Sequence, residues 1–212
     1  MRTTASRLPH ALHAVYLAGF LLNVSYAFLV YIESSYLETF IAKDFVGMLF
    51  SAAAGVGATL LAFLPLVLRA RGQRAVTWSV ILITILSILG MAFATSATQI
   101  AIFFILFYAF ELALWVLLYL YLEHLSTVKS TGDIRGHYLT INSIAFALSP
   151  FLVGKVVETF DYPPVYLMSA LLLVPLFFVL TAKIRTVART KFVRASPLTG
   201  FWKVWGNRNV RC

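Results

Sequence analysis

The sequence predicts an all-α membrane protein of six spanning helices, and three observations carry that prediction. Hydrophobic residues fill 61% of the 212 positions and charged residues only 12%, with a mean hydropathy of +0.89. Soluble domains average about 45–50% apolar and about 25% charged residues, so this chain has too little charge to solvate its own surface. Charged positions then divide the apolar residues into six runs, each near the roughly 17–25 residues that cross a bilayer. Finally, the basic residues gather in alternate loops between those runs. A water-soluble enzyme is excluded by the first observation. The net charge of +9 follows from the third, without nucleic acid as a partner.

Taken in order, the spans are expected at 11–32, 46–68, 75–94, 98–122, 138–158 and 164–182. The first is too long for the roughly 7–15-residue apolar core of a signal peptide and continues through Phe20, Phe28 and Ile32 without an A-x-A-like cleavage site. The second stops at Arg69, Arg71, Gly72 and Arg74, a short basic loop. The third gives way to a tight turn at Thr95 to Gln99, and the fourth to a mixed loop at 123–137. Pro163 and Pro164 open the sixth, where a missing N–H belongs to the unpaired first turn anyway. Pro65, Pro150 and Pro175 fall inside spans, where neighbouring helices re-satisfy the freed carbonyls, and are expected as bends.

Orientation follows from the positive-inside rule. Every Lys and Arg except Lys43 and Lys155 lies in the N-terminus, the 69–74 loop, the 123–137 loop or the C-terminal tail. The expectation is an N-in, C-in, multi-pass protein of the cell (inner or plasma) membrane. Residues 1–183 form the six-helix domain, and 184–212 a basic cytoplasmic tail or linker. Five acids, Glu33, Glu38, Asp44, Glu158 and Asp161, fall on the outer side, and Glu123 and Asp133 on the inner.

The eighth acid, Glu111, stands in the middle of the fourth span. A carboxylate at that depth costs on the order of 2.5–3.5 kcal/mol on insertion scales and usually faces a bundle interior or a wet cavity. Helical spacing puts Phe104, Phe107, Tyr108, Trp115 and Tyr119 on its face. Such a polar-tipped aromatic stripe suits a cation, a cationic organic ligand or a proton. The alternative is a structural Glu, protonated or hydrogen-bonded between helices.

Other polar positions divide in the same way. Asn23, with Tyr16 and Tyr26 one or two turns away, and Asn142, seven residues before Ser149, either line a polar cavity or join helices by hydrogen bonds. Gly47, Ser51, Gly55 and Thr59 recur at every fourth position, a small-residue stripe that predicts close helix packing. His10, His13, His124 and His137 flank loops and build no metal-binding or protease motif. Nucleophile-elbow and phosphate-loop signatures are also missing from the sequence, so the chain reads as a non-enzyme without cofactor or metal. A single cysteine, Cys212, excludes an intrachain disulfide. The tail from Lys183 to Arg211 interleaves its basic residues with Phe192, Trp202 and Trp205, a composition suited to an anionic leaflet at about 1 kcal/mol per basic residue.

Six helices with both termini inside, a short basic second loop, a longer fourth loop and a basic tail resemble the N-terminal half of a major facilitator superfamily transporter. Three local patterns carry the resemblance. In the second loop, P-L-V-L-R-A-R-G-Q-R at 65–74 keeps Gly72 and Arg74 of the family's G-x-L-A-D-R-x-G-R-[RK] motif, with Arg69 in place of the gating Asp. Arg135 and Gly136 before the fifth span, followed by A-L-S-P-F-L-V-G at 147–154, are similar to the family's fifth-helix pattern at Pro150 and Gly154, with Ser149 at a glycine position. The segment F-W-K-V-W-G-N-R-N-V-R at 201–211 looks like the approach to a seventh helix.

What the resemblance implies is a three-plus-three inverted repeat with the first and fourth spans lining a central cavity, which places Glu111 and Asn23 on cavity helices. The expected function is secondary transport of a small solute by alternating access, with Glu111 the candidate for proton coupling. The chain is then a truncated transporter or a half that pairs with a second six-helix half, either a missing C-terminal half or another copy of itself. The alternative is a six-helix scaffold or assembly partner in the bilayer that transports nothing.

Overall fold

A computed structural model of the chain describes residues 8–125 and 131–183. Its regular structure among those residues is entirely helical: α1 (Leu8–Val30), α2 (Glu33–Glu38), α3 (Lys43–Arg71), α4 (Gln73–Ala92), α5 (Ala97–Leu125), α6 (Thr131–Phe160) and α7 (Pro163–Lys183). All but α2 are long and apolar enough to cross a membrane, so the protein is a membrane-embedded six-helix bundle. Large apolar side chains such as Phe45, Phe63, Phe151 and Phe178 point outward, which hydrocarbon tolerates and water does not. The expected basic tail and the loop residue Lys129 lie outside the described residues.

The joints are tighter than the charge pattern predicts. Where a loop is expected at 69–74, α3 runs to Arg71 and α4 begins at Gln73, leaving Gly72 alone between them with φ 80° and ψ 152°. Only glycine adopts that conformation without steric cost, and its N–H still reaches the Leu68 carbonyl at 2.9 Å. Arg69 and Arg71 therefore stand in the last turn of α3, where cations oppose the helix dipole. Arg74 folds its guanidinium over the Trp78 ring at 4.6 Å. At the other end of the bundle α6 closes on Asp161 at φ 69°, a residue whose short side chain tolerates the left-handed region. Its Oδ1 accepts from the Tyr162 N–H at 2.8 Å. The expected turn at 95–99 is held by the Gln99 side chain, which accepts from the Thr95 N–H at 3.0 Å. The helices run unbroken through Pro65, Pro150 and Pro175.

Packing centres on α1 and α5. The first lies against α7, α6 and α5; the second against α4, α3 and α1; and α4 also packs on α7. Two contacts need a glycine because a side chain of the facing helix occupies the space of a Cβ: Tyr138 of α6 at Gly19, and Phe103 of α5, 2.5 Å away, at Gly90. In α3 the buried face is Val46, Ala53, Gly57, Leu64 and Leu68, turned toward Ala109 and Leu112 at Gly57. That is a different face from the small-residue stripe. Gly47 and Gly55 have open space around them, and Ser51 and Thr59 bond back to the Gly47 and Gly55 carbonyls, each at 2.9 Å. Within this bundle the stripe packs on nothing, because the apolar heptad-like positions of α3 win the interface.

Candidate functional site

Glu111 is 4% exposed and lines a cavity of about 270 Å³ together with Tyr26 of α1 and Tyr108, Leu112 and Trp115 of α5. One helical turn beyond it, Trp115 donates its indole N–H to the carboxylate, the i,i+4 relation that the sequence spacing predicts. Its Oε2 atom is buried without a hydrogen-bond partner among the described residues. Tyr26 crosses from α1 and meets the Trp115 ring edge-on, with centroids 6.4 Å apart and planes at 85°. Behind these walls stand Phe146 of α6, 5.9 Å from the Tyr26 ring, and Phe50 of α3, 6.2 Å from the Tyr108 ring. Four spans thus contribute to one aromatic enclosure around one acid.

Other members of the expected stripe separate. Phe104 and Phe107 are fully buried core residues. Tyr119, two turns from Glu111, belongs to a second hollow of about 300 Å³ with Glu123, Arg135 and Tyr138. The drift of a 3.6-residue helix against a strict i+4 ladder accounts for this separation.

Asn23 does not line the cavity. It is buried, and its Nδ2 donates to the Gly19 carbonyl of its own helix at 2.7 Å. Asn142 is also buried but away from Glu111. Both polar atoms of its amide and the Tyr138 hydroxyl one turn earlier are buried, and the hydroxyl and the amide interact with each other. Ser149 spends its hydroxyl on the Ala145 carbonyl at 2.6 Å. Pro150 and Gly154 lie on the exposed side of α6, with nothing near Gly136 or Gly154. These residues shape α6 and do not converge on the acid.

Sequence reasoning missed Glu33. Expected on the outer side with four other acids and given no role there, it is 2% exposed in the first turn of α2, and its Oε1 has no partner among the described residues. Burial pushes its carboxyl up to about 8. Glu33 lies within electrostatic reach of Glu111, and the Tyr26 hydroxyl feels both. The missed signal is local: Tyr36 and Leu37 follow at helical spacing and are buried too, so Glu33 sits on the inward face of its turn. Tyr36 anchors that turn by donating to the Met91 carbonyl of α4 at 2.7 Å. Its ring meets Phe40 edge-on and Tyr162 and Tyr166 at a tilt. Its own phenol is raised, first by burial and then by the nearby Asp161 charge.

Among the described residues no group of three or more His, Cys, Asp or Glu is placed to hold a metal ion. The chemistry of the site is therefore that of two buried carboxylates and an aromatic wall. No protein-family model and no curated protein sequence matches the chain.

Proposed function

We propose that this bundle is one six-helix half of a secondary transporter of the major facilitator type, moving a small solute by alternating access with proton coupling at Glu111. The observation that carries this reading is the pattern of helix neighbours. Exchanging the first three spans with the last three sends α1 to α5, α3 to α6 and α4 to α7. The α1–α7 contact then becomes the α5–α4 contact, and α3–α5 becomes α6–α1. Likewise α3–α4 becomes α6–α7, while α1–α5 and α4–α7 map onto themselves. Because three spans carry the chain across once, two similar trios must enter from opposite sides, as an inverted repeat requires.

Two further observations support the reading. The acid-bearing cavity lies between the first and fourth spans, where such a repeat places its solute. The spans flanking it, α3 and α6, are only 22% buried, against 56% for α1 and 50% for α4, and the unpacked stripe of Gly47, Ser51, Gly55 and Thr59 lies on one of them. A second half, another copy or a separate chain, would cover those faces and close the cavity. The N-in, C-in orientation in a cell membrane rests on the Lys and Arg distribution.

The test is reconstitution of the full chain in vesicles loaded with a pH-sensitive dye and exposed to a panel of small neutral, cationic and anionic solutes. Solute-evoked proton movement is expected, and Glu111→Gln abolishes it while preserving the fold. Movement that persists undiminished in Glu111→Gln overturns the coupling role. Bundles that assemble normally but move no solute in the panel favour the scaffold alternative.

A further inference from the structure

The space beside Glu111 poses a problem of charge. Glu33 and Glu111 are buried within electrostatic reach of one another, each with one oxygen lacking a hydrogen-bond partner among the described residues. Among the described residues no Lys or Arg lines the cavity. A buried carboxylate without a counter-charge is strongly disfavoured, and the other titratable groups facing these two, Tyr26 from α1, Tyr108 from α5 and Tyr166 from α7, are phenols that bring no positive charge. From α3 and α6 the rings of Phe50 and Phe146 back this wall. Compensation therefore has to come from protons or from an occupant.

The walls narrow the class of occupant. Hard metal cations take six or more oxygen ligands, which this enclosure of rings and isolated carboxylates does not supply. An organic ammonium ion instead gains from aromatic ring faces, each contact contributing about 0.5–2 kcal/mol as water is excluded. Trp115 and Tyr26 meet at 85°, so they offer ring surface from two directions in the cavity that Glu111 lines. A volume of about 270 Å³ admits a small solute.

We propose that the cavity binds a small monovalent organic cation, its ammonium group held against the Glu111 carboxylate among Tyr26, Tyr108 and Trp115. This names the solute of the transport reaction proposed above and rests on that reading for movement, though not for binding. Proton and cation compete for the same carboxylate, so occupancy by one releases the other.

Three probes sharing a phenyl ring separate charge from shape: benzyltrimethylammonium, benzyl alcohol and benzoate. Binding to the purified full chain in lipid nanodiscs is measured by calorimetry across pH. The cation is expected to bind, with its affinity falling as pH is lowered, and neither benzyl alcohol nor benzoate to bind comparably. Glu111→Gln weakens the cation on the order of tenfold or more, Glu33→Gln weakens it less, and the exposed control Glu158→Gln leaves it unchanged. Failure of the wild-type protein to bind the cation, equal binding of benzyl alcohol or benzoate, or pH-independent cation binding overturns the proposal, and none of these outcomes depends on a variant that must fold. Cation binding without any solute-evoked proton movement sinks the transport reading alone. Proton-coupled movement of neutral solutes without cation binding sinks this inference alone.

Discussion

Ser25 and Ser169 exchange hydrogen bonds across the interface of α1 and α7. Their hydroxyl oxygens are 2.7 Å apart, and each hydroxyl also reaches the other residue's backbone carbonyl, at 3.1 Å from Ser25 and 3.0 Å from Ser169. Both side chains are buried, and their small size lets the first and sixth spans approach closely. Such a pair holds the α1 wall of the cavity in register, since Tyr26 is the residue next to Ser25.

Removing one hydroxyl should cost little, because Ser169 can still donate to the Ser25 carbonyl. Ser25→Ala is expected to destabilise the bundle by about 0.6 kcal/mol and at most about 1.7 kcal/mol, the range of interhelical hydrogen bonds in membranes. Ser25→Leu should cost several times more by forcing α1 from α7. Denaturation of the two variants in mixed detergent checks the ratio, and equal losses would show that the hydroxyl is not what sets the cost.

The glycines divide by what their Cβ would meet. Gly19→Ala drives a methyl into the Tyr138 ring, and Gly90→Ala into Phe103, so each should destabilise by about 1–3 kcal/mol, the usual range for overpacking. Gly47→Ala enters open space and should be neutral or stabilising by up to about 1 kcal/mol through helix propensity. Melting curves of the three variants test the ranking.

Glu33 should make the packing of α2 depend on pH. Its carboxyl moves from an ordinary 4.5 to about 8 because burial favours the neutral form. The folded protein therefore holds this proton over a range in which the unfolded chain has released it. The resulting stability is fully present below 4.5 and is lost as pH rises through about 8. Glu33→Gln, neutral throughout, should flatten that part of the pH profile in thermal melts. An unchanged slope would mean that another group is responsible.

On the proposed half-transporter reading, a chain held as a verified monomer should not move solute uphill, because the wall supplied by a second half is then missing. Uptake is expected only from preparations in which a second half is paired with it. Reconstitution at decreasing protein-to-lipid ratio, with oligomeric state followed by crosslinking or photobleaching steps, checks this; concentrative uptake by monomers would remove the half-transporter reading.

Much of the bundle was legible in the sequence because bilayer physics acts on composition. A run of apolar residues that must cross hydrocarbon declares its length directly, and all six expected spans are helices here. Joint geometry was less legible. Charge located the joint between α3 and α4 but overestimated its length, since arginines continue a helix readily and only Gly72 had to leave it. Glu111 announced itself as an acid inside an apolar run, and Tyr108 and Trp115 followed from helical spacing. Asn23 was equally conspicuous, yet its amide turns to its own helix, a choice made by local geometry that spacing does not record.

What the sequence by itself determined is the solvent this protein folds in, the number of its spanning helices and the acid at the centre of one of them. These depend on single residues and on short-range periodicity. Only the tertiary structure decided which helices became neighbours, which face of α3 was buried, and that Tyr26 closes the cavity from another helix. It also decided that Glu33, one residue past the apolar run, is withdrawn from water within electrostatic reach of Glu111. The reason is that burial of a side chain depends on how its element is packed, and the turn that carries Glu33 is anchored through Tyr36 to Met91 of α4 and Tyr166 of α7, far away in the chain.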